Sequence, residues 1–118
     1  MTDSQKSASR TFVRACAVGD LADAEPVQVK VDGVPICLVR TEGETFAILD
    51  RCSHADVALS EGDVDGYLIE CFLHGSAFDL RTGAPTSLPA NQPVPVYPVR
   101  IAGEDVLVDV AGPLAQEI

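Results

Sequence analysis

Two short motifs carry the chemistry of this chain. Cys52 and His54 are separated by one residue, Cys71 and His74 by two, and sixteen residues lie between the pairs. Each motif offers one thiolate and one imidazole nitrogen, a mixture that suits zinc or iron. His54 and His74 are the only histidines in the protein. Cys16 and Cys37 have no histidine near them in sequence and sit in apolar runs, so we expect them to pack as small hydrophobes.

A structural zinc site is the plainest competing reading. Zinc fingers keep the two cysteines together and the two histidines together, usually with a helix carrying the latter. Here each half mixes the types, and no helical periodicity surrounds either half. A Cys52–Cys71 disulfide with two incidental histidines is weaker, because it leaves the matched spacing unexplained. Two Cys and two His are also the ligand set of a Rieske centre, where histidines replace cysteines on one iron of a [2Fe–2S] cluster. In that arrangement Cys52 and Cys71 hold one iron, and His54 and His74 the other. Ser76, directly after Gly75, is placed to donate a hydrogen bond to a cluster sulfur. Colour separates the readings, since zinc is colourless.

Two thiolates and two neutral imidazoles leave an oxidised [2Fe–2S] core uncharged, whereas four thiolates leave it doubly negative. An electron enters a neutral site in a low-dielectric pocket more easily than an anionic one. Mixed ligation therefore raises the potential.

Ligands in two loops need a rigid frame. Val27–Val31 alternates with period two, as a half-buried strand does. Asp32–Gly33 follows, then an apolar run over 34–39, a hairpin signal. Pro35 marks a strand beginning or an edge. Glu42–Gly43 turns the chain into a strand over 46–49. A first strand is expected within 11–17, and at the far end runs over 96–101 and 106–110 are joined by Gly103, Glu104 and Asp105. One helical turn at most fits residues 20–24. The expectation is an all-β fold, a barrel or sandwich. Residues 50–95 read as a small inserted subdomain, with short strands over 67–70 and 77–80. We expect the acidic residues Glu61, Asp63 and Asp65 to form a solvated turn. Tyr67 and Tyr97 read as packing residues. Pro85 and Pro89 read as part of a stiff cover over the ligand loops.

The chain has 118 residues, 47% of them apolar, enough for one domain with a modest core. Residues 1–10 read as a flexible polar arm, residues 11–110 as the domain, and residues 111–118 as a tail. No apolar run approaches the ~20 residues of a membrane helix, and no secretory h-region is present, so a cytoplasmic location is expected. Eight basic residues face eighteen acidic ones, a formal net charge of −10. That charge disfavours nucleic acid and anionic membrane and favours a protein partner with a basic face.

The run Asp50-Arg-Cys-Ser-His54, with Glu70-Cys-Phe-Leu-His-Gly-Ser-Ala-Phe-Asp79 and Arg81-Thr-Gly83, resembles Rieske ferredoxins. The resemblance spans roughly residues 11–110 and implies an antiparallel β framework, the Rieske fold, with an inserted cluster-binding subdomain. It implies one [2Fe–2S] cluster and, with the composition, a monomer that carries single electrons. The chain looks most like the ferredoxins that take electrons from a reductase and feed the terminal oxygenase of aromatic-ring dioxygenases. It also looks like accessory Rieske proteins of iron–sulfur assembly or nitrite reduction. A self-contained oxygenase is excluded: its mononuclear iron needs further histidines. Respiratory Rieske proteins carry an extra cysteine in each ligand loop, where this chain has Val57 and Leu73, and a tyrosine where it has Phe78. With one hydroxyl donor fewer near the cluster, the expected potential lies in the lower half of the about −150 to +300 mV Rieske span.

Overall fold

The computed structural model describes residues 11–53, 56–73, 75–86, 90 and 92–114. Among the described residues, ten strands form three antiparallel sheets. The first sheet has the order β1 (Val13–Ala17), β10 (Asp105–Val108), β9 (Val99–Ala102). The second has the order β2 (Val27–Val31), β3 (Val34–Thr41), β4 (Glu44–Leu49), β8 (Val96–Tyr97). The third holds β5 (Asp63–Asp65), β6 (Leu68–Glu70) and β7 (Ala77–Asp79), and lies between β4 and β8 in the chain. Among the described residues no helix is long and apolar enough to cross a membrane.

The β2–β3–β4 meander follows from its turns. Asp32 and Gly33 have φ of 51° and 81°, and Glu42 and Gly43 have φ of 54° and 76°. Positive φ at both central residues matches the twist of the flanking strands. Glycine adopts this without a Cβ penalty, whereas Asp32 and Glu42 sit there at some cost. The register runs from Val27 opposite Leu38 to Val31 opposite Val34. Pro35 is the second residue of β3, so the strand beginning is as expected.

β3 is buried on both faces. Ile36 and Leu38 enter one core with Val31, Tyr97, Val106 and Val108. Cys37 and Val39 enter the other with Ile48, Cys52, Leu59, Ile69, Cys71 and Phe78. The middle sheet therefore separates two apolar cores. The first β sheet covers one side, and residues from the segment between β4 and β8 cover the other. Each fully buried Leu, Ile or Phe contributes about 1.5–3 kcal/mol. Cys16 and Cys37 are buried and free, as expected for packing cysteines. Burial pushes the Cys37 thiol far above its ordinary value, with the charge of Asp50 adding to it.

Four expectations need correction. The apolar run over 96–101 is two strands, because Pro98 has no N–H to extend a ladder. β8 pairs with β4, while β9 pairs with β10. The acidic stretch is solvated but is not a single turn: Glu61 ends a 3₁₀ turn, Leu59–Glu61, and Asp63–Asp65 is an edge strand paired with β6. The helical turn lies at Val18–Asp20, earlier than residues 20–24. Asp23 instead bridges Arg40, and the Ala24 N–H donates to the Arg40 carbonyl at 2.7 Å. The last strand ends at Val108, where the Asp109 N–H turns to the Pro98 carbonyl. The expected arm over residues 1–10 and the tail beyond 114 lie outside the described residues.

Candidate metal centre

The two ligand loops are closed in the same way. The Cys52 N–H donates to the Val57 carbonyl at 2.9 Å, and the Cys71 N–H donates to the Ser76 carbonyl at 2.7 Å. In both, a cysteine bonds the residue five positions on and draws the chain into a small loop. The second loop has a further bond from the Gly75 N–H to the Cys71 carbonyl at 3.0 Å, and Gly75 has φ of 77°. A side chain there would be strained, so glycine fits this turn. Cys52 and Cys71 are 2% and 1% exposed and belong to one core cluster. His54 and His74 lie outside the described residues, as does Pro89.

A third segment spans the loops. The Ser53 hydroxyl donates to the Gln92 carbonyl at 2.6 Å, which ties this segment to the first loop. The Ala90 N–H donates to the Ser76 hydroxyl oxygen at 3.1 Å, which ties it to the second. Ser76 is fully buried and its oxygen is an acceptor here, so its own proton remains for another partner. Pro85 bridges Phe78, which is also fully buried, and the Val94 N–H donates to the Gly83 carbonyl. Val57 packs against the core, while Leu73 is exposed, and no disulfide links the two loops.

Sequence reasoning missed the residues that hold the loops in place. Asp50, 4% exposed, precedes the first loop. Its carboxylate accepts from the Ser60 N–H at 2.7 Å, the Ser60 hydroxyl at 2.6 Å and the Gln28 side-chain amide at 2.7 Å. These bonds join the loop to β2 and to the 3₁₀ turn that follows. Gly62 lies so close to the backbone of Glu70 that an added Cβ would overlap its carbonyl oxygen. The chain after the first loop is thereby pressed against the residue before Cys71. At the other end of β4, the Thr41 hydroxyl donates to the Gly66 carbonyl at 2.8 Å, and the Tyr67 hydroxyl donates to Glu44. Phe46 meets the Tyr67 ring edge-on, and the Arg81 guanidinium lies 4.2 Å over that ring. Arg81 also pairs with Asp79 and holds its carboxyl below the usual range. Tyr67 is thus a joint between sheets, while Tyr97 packs in the core.

A profile for the Rieske [2Fe-2S] domain matches residues 11–98. The chain belongs to the Rieske [2Fe–2S] family. The biphenyl dioxygenase ferredoxin subunit of Pseudomonas sp. (strain KKS102) is 44% identical over 100 residues, covering 84% of this chain and 92% of the relative. The ferredoxin of carbazole 1,9a-dioxygenase from Nocardioides aromaticivorans IC177 superposes with a TM-score of 0.80 at 40% identity, covering 83% of this chain and 96% of that one. A ferredoxin solved in complex with the oxygenase of carbazole 1,9a-dioxygenase superposes with a TM-score of 0.79 at 33% identity, over 86% and 94% of the two chains.

This Rieske protein holds one [2Fe–2S] cluster and acts as a one-electron carrier, an electron-transfer component and not an enzyme by itself. The residues present fit the group. Two buried thiols share one apolar core at the bases of two similarly closed loops, and the second loop adds a buried hydroxyl, Ser76, whose oxygen accepts from the Ala90 N–H.

Proposed function

We propose that Cys52, His54, Cys71 and His74 ligate the cluster, and that the protein passes electrons from a reductase to the terminal oxygenase of an aromatic-ring dioxygenase. The matched closure of the Cys52 and Cys71 loops carries the ligand assignment. The family resemblance and the named relatives support the role. Residues 50–95 form the cluster-binding unit within a domain of residues 11–110.

The cluster supplies a site that takes up and releases one electron. The protein's own residues keep that site dry and in place. Leu59, Ile69 and Phe78 exclude water behind the two cysteines. Ser53 and Ser76 hold the third segment across the loops. The Ser76 hydroxyl would donate its proton to a cluster sulfur, and Gly75 and Pro85 shape the surrounding turns. Phe72 and Leu73, 55% and 46% exposed, follow Cys71 and give a partner an apolar foothold beside the ligand loop. The carrier works as a cytoplasmic monomer and meets partners through a basic face on their side.

The test is an EPR spectrum of dithionite-reduced protein, with voltammetry alongside. A rhombic signal of low average g is expected, and it disappears in Cys52→Ser and Cys71→Ser. A colourless zinc protein would overturn the ligand assignment, and a potential above about +150 mV would overturn the reading of Phe78 as a missing donor.

A further inference from the structure

The Asp50 network contains more charge than its geometry requires. Among the described residues, three donors reach the carboxylate and all are neutral: the Ser60 N–H, the Ser60 hydroxyl and the Gln28 amide. Among the described residues no lysine or arginine lies within 4 Å of it. Arg51, its neighbour in sequence, turns instead to Asp56 at 2.9 Å. An asparagine could occupy the same place, accepting from the Ser60 N–H while the Gln28 amide and Ser60 hydroxyl reverse their roles. A buried anion without a counter-ion is costly, so the charge itself calls for an explanation.

The field of this carboxylate enters the core that holds the two ligand cysteines. Asp50 is two residues from Cys52, and its charge is felt at Cys37 in the same core cluster. Reduction adds one negative charge to the centre. An anion fixed nearby in an apolar surrounding opposes that addition.

We propose that the Asp50 carboxylate lowers the reduction potential of the cluster by its charge, while its hydrogen bonds hold the first ligand loop to β2. The inference rests on ligation by Cys52 and Cys71. Both the charge and the anchoring fit a carrier that must give its electron away readily.

Protein-film voltammetry at one fixed pH tests this, with iron content and EPR on the same samples. Asp50→Asn keeps the network and removes the charge. It should raise the midpoint by several-fold up to about tenfold in the one-electron equilibrium constant, tenfold being about 59 mV. Gln28 is exposed on β2, so Gln28→Lys places a cation against an intact carboxylate, and it should raise the midpoint as well. Ser60→Ala removes one donor and keeps the charge, and it should not raise the midpoint. An unchanged midpoint in both charge variants with the EPR signal intact overturns the proposal. So does a rise in Ser60→Ala equal to that in Asp50→Asn. If the unmutated protein lacks a mixed-ligation EPR signal, the ligand assignment fails, which is a separate result.

Discussion

At Gly62 the backbone touches the Glu70 carbonyl without leaving room for a methyl group. Gly62→Ala forces the two segments apart and should destabilise the protein by about 1–3 kcal/mol in urea unfolding, with iron retained less tightly. Gly19→Ala meets nothing within 4 Å and should leave both measurements unchanged. The spacing of Cys52 and Cys71 was legible because ligands announce themselves by residue type. Gly62 was legible only as a turn residue. Its backbone angles are ordinary extended ones, so local propensity says nothing of the contact. The contact exists because β5 and β6 pair with Asp63 opposite Glu70. Asp50 was hidden for the same kind of reason: its partner Gln28 is 22 residues away and on another strand.

At the level of elements, β4 is the beam that carries the cluster-binding segment. Asp50 holds one end, and Thr41 with Glu44 holds the other. Thr41→Val keeps the shape and removes the donor, leaving the Gly66 carbonyl unsatisfied. Thermal unfolding should show a loss of about 1–3 kcal/mol, and an unchanged midpoint would remove Thr41 as an anchor. The β2–β3–β4 meander was readable because its turns are local two-residue events. The third sheet was only half readable. β6 and β7 carry apolar residues at short spacing, but β5 is Asp-Val-Asp and takes its strand character from pairing with β6. The split at Pro98 was visible as a proline, yet which sheet each half would join depends on β4 and β10, far away in the chain.

Over the whole molecule, eighteen acidic residues against eight basic ones give a strongly negative carrier. Encounter with a basic partner should be accelerated by this charge and screened by salt. In stopped-flow electron transfer with such a partner, the second-order rate constant should fall several-fold between about 0.01 and 0.5 M ionic strength. A rate that stays level would take electrostatics out of the encounter. The first sheet has a different consequence. Val13 of β1 stands directly opposite Val108 of β10, so the first and last strands of the fold are neighbours, about 5 Å apart. A unit whose first and last strands are neighbours can be spliced into a loop of a larger protein while its own path stays uncut. Joined in this way to an electron acceptor, the carrier would no longer search by diffusion. It would face its target at an effective concentration in the millimolar range, set by the length of two short tethers.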